Sequence, residues 1–415
     1  MELKPAEIKK WPVVPFAALY ASPSRNGVYK TEGFHGSGCR IVNMGEMFGL
    51  DFISDQEMSR VALSERELVI SGLEGGDLLF GRRSVVESGA GRCSLVVEPL
   101  EPLTFESSII RVRLKQDVAI PRFFYYFFRS PSGRSLISQI ISGTNVKGIR
   151  GSELKRLPVP IPPLREQNEI AESLSDADEL LGALDKLIVK KRDLKQAAMQ
   201  QLLTGKKRLP GFSGEWEVKR LGAIGSTFGG LTGKTKSDFG EGAARYITFM
   251  NILTNVVIDP DTFEHVRVSP SESQNRVMKN DLFFNGSSET PEEVGMCAVL
   301  LNDVENVFLN SFCFGFRLRE DAETDGLYLA YYFRSGEGRK LLYSLAQGAT
   351  RYNLSKTSLL KLQFPLPSFT EQTAIASIIS DMDAEIVVLE QRRDKTRALK
   401  QGMMQELLTG KTRLI

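Results

Sequence analysis

The feature that most constrains this chain is that it is written twice. Residues 157–209 read LPVPIPPLREQNEIAESLSDADELLGAL…LKQAAMQQLLTGKKRL, and residues 362–414 read LQFPLPSFTEQTAIASIISDMDAEIVVL…LKQGMMQELLTGKTRL. Glu166 and Glu371, Asp176 and Asp381, and Gly205 and Gly410 all stand 205 residues apart, as do Pro5 and Pro210 and Trp11 and Trp216. The register runs back without a gap through Arg129–Ser130 and Arg334–Ser335. It carries roughly thirty identities over ~80 positions, far above chance. The 415 residues are therefore two tandem copies of one unit. Between residues 17 and 128 and their partners only scraps align, such as Gly76-Asp77-Leu78 with Asn280-Asp281-Leu282, one residue out of step. Matched backs imply one shared job, and divergent fronts imply two different targets.

Each back opens on proline-spaced extended chain, Pro158 to Pro163 and Phe364 to Pro367, which excludes helix interior. Pro163 suits the first turn of a helix, and Ser368 with Glu371 reads as a capping box. Apolar residues then recur at steps of four and three. In the first copy they are Ile170, Leu174, Ala177, Leu181, Leu184 and Ile188, resuming at Leu194, Ala198 and Leu202. In the second they are Ile375, Ile379, Met382, Ile386 and Leu389, resuming at Leu399, Met403 and Leu407. Gly205 and Gly410 supply the stop signals. Each helix would run ~40 residues, about 60 Å. A seam this narrow needs a partner of equal length. With globular chain between the copies, the pattern predicts that the two helices pair as an antiparallel coiled coil. Packing of each helix on its own domain is the competing reading.

The fronts mix short apolar alternations (Ser94–Glu98, Ile109–Leu114, Val307–Leu318) with glycine-rich turns, predicting strands in an α/β (α+β) domain. Pro121 with the FFYYFF run, and Leu327–Phe333, read as short buried helices whose rings are core rather than a base-stacking platform. Several turns carry basic and amide side chains: Arg25 and Asn26; Arg82 and Arg83; Thr144, Asn145, Lys147 and Arg150; and, in the second copy, Thr350, Arg351, Tyr352 and Asn353. Arg, Lys and Asn are the side chains that meet base edges and phosphates, which makes these twelve the candidate DNA contacts. Solvated loop charge competes with that assignment at any single position.

Charge gives only weak help. A net charge of +2 and a pI near 8.2 require any nucleic-acid surface to be local. Cys39, Cys93, Cys297 and Cys313 lie too far apart for a zinc ribbon or a disulfide framework, which fits a reducing compartment. The first residues lack the apolar core of a signal peptide, and the longest apolar run is too short for a bilayer, so a cytoplasmic location is expected. His35 and His265 fall in non-equivalent places and read as structural or surface residues. HExxH, GxSxG, Walker, methyl-donor and Asn-Pro-Pro-aromatic motifs are all missing, which argues against catalysis by this chain. Asp77 and Asp281 are matched, but without a downstream Glu-x-Lys a turn role suits them better than a nuclease role.

A divergent front, a proline-rich entry ending in Glu-Gln (161–167, 366–372), a long helix, and an exit of Leu-Lys-Gln (194–196, 399–401) and Leu-Leu-Thr-Gly-Lys (202–206, 407–411), all given twice, resemble the specificity subunits of type I restriction-modification systems. Pro163-Leu164 departs from that family's usual small polar entry. The resemblance spans the chain and implies target-recognition domains at 1–156 and 208–361, with helical spacers at 157–207 and 362–415. It implies two such domains in pseudo-twofold tandem repeat, separated by the coiled coil and reading double-stranded DNA as an asymmetric bipartite site. The implied partners are two methyltransferase subunits and restriction/translocase subunits. S-adenosylmethionine, ATP and Mg would belong to those partners, with no cofactor and no metal held by this chain. The specificity subunit of a type IIB-like enzyme would share the architecture. A coiled-coil scaffold without a DNA role is the third reading.

Overall fold

A computed structural model describes residues 11–348 and 351–414. By its contacts the chain divides into two compact units. One runs to Asp185 and is completed by the chain from Gln391 onward; the other is Lys186–Glu390. Each unit therefore holds one front, the N-terminal half of the long helix that follows it, and the C-terminal half of the other copy's helix.

The long helices span Leu164–Leu202 and Phe369–Leu407, 39 residues each. Pro163 and Ser368 sit just ahead of them, and their carbonyls accept from the amides of Gln167 and Gln372 at 3.0 and 2.9 Å. The capping box read at Ser368 does not form. Glu371 turns inward to Arg208 and Trp216, because a charged donor in a buried setting outcompetes an exposed backbone amide. At the far ends Gly205 and Gly410 adopt φ of +69° and +70°, and a Cβ on either would lie 3.3 Å from the ring of Trp216 or Trp11.

Within each unit the two helical segments run antiparallel. In the first, Asp178 and Asp185 meet Lys400 and Arg393. In the second, Lys191 and Lys195 meet Glu385 and Asp383, so partner numbers again fall as helix numbers rise. Of the seam positions, Ile170, Leu174, Leu184, Ile188, Ile375, Ile379 and Ile386 are buried, and Ala177, Leu181, Met382 and Leu389 are half-buried. Leu202 and Leu407 are buried near the exits, with Ala198 and Met403 half-buried. Leu194 and Leu399 differ from the sequence reading: they are 47% and 63% exposed. The next residue, Lys195 or Lys400, takes the inward place and delivers its ammonium to Asp383 or Asp178.

The fronts share one topology. In the first, a five-stranded sheet is ordered 25–26, 109–112, 78–81, 93–96, 52–53, beside a three-stranded sheet of 60–61, 35–42 and 103–105. In the second, 225–229, 313–318, 282–285 and 297–299 form the larger sheet, and 264–266, 239–247 and 307–309 the smaller. Each smaller sheet holds one parallel pair (Ile41 opposite Thr104, Tyr246 opposite Phe308) and one bulge. The alternation at Val307–Leu318 is two strands in different sheets, divided by a turn in which Asn310 Oδ1 accepts from the Phe312 amide at 2.8 Å. The aromatic runs are helices, Pro121–Arg129 and Gly326–Arg334. Their buried rings fill the core between the larger sheet and the helix pair of the same unit.

Candidate nucleic-acid interface

Both units are closed by the same junction at the base of the long helix. Glu166 is fully buried; it accepts from Trp11 Nε1 at 3.1 Å and from both prongs of Arg413, whose Nη2 lies 2.6 Å away. Glu371 is matched in the second unit by Trp216 Nε1 at 3.3 Å and by Arg208 at 2.6 and 2.6 Å. Each guanidinium also lies over its tryptophan ring, at 5.4 and 5.6 Å. The neighbouring glutamine ties the helix to the front. Gln167 accepts from the Ile120 amide at 2.8 Å and donates to Val118 and Pro162, and Gln372 does the same with Asp325, Glu323 and Pro367. About three turns further along each helix, Tyr126 donates to Asp178 and Tyr331 to Asp383, both at 2.8 Å.

This network accounts for the motifs. The Glu-Gln of one copy is completed by the Thr-Gly-Lys-x-Arg-Leu exit of the other. Sequence reasoning found the residues and their 205-residue spacing but not that they complete each other, because a repeat shows likeness and not contact.

The candidate contacts lie in three places. Arg25 and Asn26 form an exposed edge strand paired with Ile110 and Arg111, and Asn26 borders an open cleft with Tyr20, Ser22, Ser152 and Lys155. Arg82, Arg83, Lys147 and Arg150 converge on a second hollow of about 390 Å³. They are assembled by a short antiparallel ladder that sets Lys147 opposite Ser84 and Gly148 opposite Arg83. Among the described residues Arg83, Lys147 and Arg150 make no side-chain hydrogen bond or ion pair, and Arg82 donates to Ser107 O at 3.3 Å. Thr144 and Asn145 are exposed at the tip of the connecting loop. That loop turns at Gly143 with φ of +105°, where a Cβ would meet Val146 O at 2.2 Å.

The equivalent ladder of the second front pairs Ser287 with Asn353 and Ser288 with Tyr352. Its loop turns at Gly348 with φ of +126°. Arg351 lines a hollow of about 330 Å³, Tyr352 packs half-buried on the core, and Asn353 is exposed. Thr350 lies outside the described residues. Glu289, Glu293, Phe249 and Phe312, which line the same hollow, carried no signal in the sequence.

Reactive chemistry has little footing. Burial pushes the thiols of Cys93 and Cys297 far up, and that of Cys313 to about 12. His35 and His265 are exposed and touch only backbone carbonyls. Asp77 and Asp281 are buried in turns, accepting from the Glu74 and Met278 amides and held by Arg113 and Arg317 at 2.7–2.8 Å. No group of metal-ligating residues occurs among the described residues, and no helix there is long and apolar enough to cross a membrane.

Two fronts of one topology, with differently lined hollows beside the same ladder and identical junctions beneath, define a duplicated recognition protein. The family model for the type I restriction modification DNA specificity domain matches residues 72–190 and 213–396, and the chain belongs to that family. It is similar to the MjaVIII specificity subunit of a type I restriction enzyme from Methanocaldococcus jannaschii, 23% identical over 85% of this chain and 81% of that one. It is also similar to the EcoKI specificity subunit of Escherichia coli, 28% identical over 44% of this chain and 40% of that one. Its fold matches the crystal structure of a type I restriction-modification S subunit from M. genitalium, with a TM-score of 0.57, 16% identity and 98% of each chain covered. The HsdS subunit from Thermoanaerobacter tengcongensis matches with a TM-score of 0.51, 15% identity and 97% coverage of each.

Proposed function

We propose that this chain is the sequence-reading, non-catalytic subunit of a type I restriction-modification complex. Its two fronts each recognise one half of an asymmetric bipartite DNA site. The observation that carries this is the pairing of one shared topology with two unlike hollows, in a chain of the DNA specificity family.

Target-recognition domains at 1–156 and 208–361 would be linked by the helical spacers 157–207 and 362–415. The helices would set the spacing and dock two methyltransferase subunits and the restriction/translocase subunits. S-adenosylmethionine, ATP and Mg would enter with those partners. A spacer of about one duplex turn, 34–36 Å, would present both half-sites on one face of the DNA. Affinity would be largely phosphate-driven and steeply salt-dependent, with a few side chains worth ~1–3 kcal/mol each deciding the bases.

Co-expression with the methyltransferase of the same system, followed by sequencing of methylated adenines in host DNA, tests the proposal. A split asymmetric motif is the expected result. Absence of new methylation from an assembled, methyl-donor-binding complex would rule it out. Charge reversal at Lys147, Arg150 and Arg351 together should abolish recognition, and unchanged DNA binding would remove those three from the interface.

A further inference from the structure

The two hollows adjoin equivalent ladders, with largely different linings, and carry opposite charge. Arg82, Arg83, Lys147 and Arg150 line the first, which has no carboxylate. Glu289 and Glu293 line the second beside Arg351, with Phe249 and Phe312 completing the wall. A carboxylate facing a polyanion is repelled unless it meets a hydrogen-bond donor, and on a duplex the donors within reach in the major groove are base amino groups. Glutamate accepts from cytosine N4, whereas arginine takes guanine O6 and N7.

The second hollow is also held in shape. Glu293 accepts from Ser288 Oγ at 2.9 Å, and Asn285 Nδ2 donates to the Glu293 carbonyl at 2.8 Å. Arg339 grips the carbonyls of Glu292 and Val294 on either side, at 2.9 and 2.6 Å. An acceptor fixed before binding loses little side-chain entropy when it meets its donor. At the rim Phe312 is 62% exposed, a large apolar surface suited to a thymine methyl.

We propose that the two half-sites are read with opposite hydrogen-bond polarity. The first front uses guanidinium and ammonium donors on guanine acceptors; the second uses the carboxylates of Glu289 and Glu293 on a cytosine N4 amino group. This rests on the DNA-specificity reading above.

The polarity has a sign that can be measured. The full chain, assembled with its methyltransferase, is offered a pool of randomised duplex, and the bound fraction is sequenced. Glu289→Ala/Glu293→Ala should erase a cytosine preference in one half, leave the other half intact, and tighten binding to random duplex because a repulsive pair is gone. Arg83→Ala/Arg150→Ala should erase guanine in the other half, weaken random-duplex binding, and flatten the salt dependence by ~1 in log–log slope for each phosphate that is no longer neutralised. Without any variant, 7-deazaguanine in the first half and N4-methylcytosine in the second should each lower the wild-type complex's affinity about 5- to 100-fold. The polarity is wrong if the glutamate variant leaves both halves unchanged, or if it weakens random-duplex binding as the arginine variant does. Recovery of no split motif by the wild-type complex would overturn the DNA-specificity reading, and this proposal with it.

Discussion

The two junctions and the two hollows are opposite outcomes of one duplication. At the junctions, glutamate, glutamine, arginine and tryptophan recur in both units with the same partners, at distances that agree within a few tenths of an ångström. In the hollows the strand pairing recurs, yet Arg83 of one front holds the ladder place that Ser287 holds in the other. The difference follows from burial. A buried carboxylate can change only together with its arginine, its tryptophan and the helix that brings them. An exposed hollow side chain changes alone, at small cost to the fold. Recognition can therefore diverge between the fronts while the frame beneath stays fixed.

The largest test of that equivalence lies at the junctions. Removing the carboxylate in Glu166→Ala or Glu371→Ala takes the acceptor from a tryptophan Nε1 and the buried half from an ion pair. Each variant should be clearly destabilised, because an indole donor loses its acceptor and the helix loses its tie to the exit segment. Hydrogen exchange should place the lost protection in the unit that contains the substitution, and chemical denaturation should give similar losses for the two. A loss at one junction and none at the other would show that the likeness is geometric only.

A smaller effect is expected one step along the chain. Gly410→Ala and Gly205→Ala put a Cβ into left-handed backbone, against Trp11 or Trp216, at about 1–3 kcal/mol each. Thermal melts of the two variants should fall together, and they should not add to the glutamate loss of the same unit, since both act through one tryptophan. Full additivity would separate the helix stop from the junction.

These residues also mark what was legible in advance. The repeat, the long helices and their stops were readable because their positions lie 205 apart in unbroken register. The common topology of the fronts was not. Its surviving markers, such as Cys93 with Cys297 and Asp77–Arg113 with Asp281–Arg317, are scattered residues one step out of that register. Residue type nominated basic and amide side chains at turns but passed over Glu289 and Glu293. Carboxylates in a loop look like ordinary solvated charge until the fold gathers them around one hollow.

Leu194 and Leu399 give the finest test of how far the helix seams are alike. Helical spacing puts both on the seam, where a leucine truncated to alanine costs about 2–5 kcal/mol. In the fold each points largely to solvent, and the lysine after it reaches the aspartate and the tyrosine ring instead, at 5.7 Å for Lys195 and 5.4 Å for Lys400. Leu194→Ala and Leu399→Ala should therefore shift stability by no more than about 0.5 kcal/mol. Lys195→Met or Lys400→Met, which keeps the stem and removes the charge, should cost more because Asp383 or Asp178 loses its partner. If denaturant midpoints rank the leucine variants as the more damaging, the seam runs as helical spacing alone would have it, and the polar step in both helices is not a structural feature of the pair.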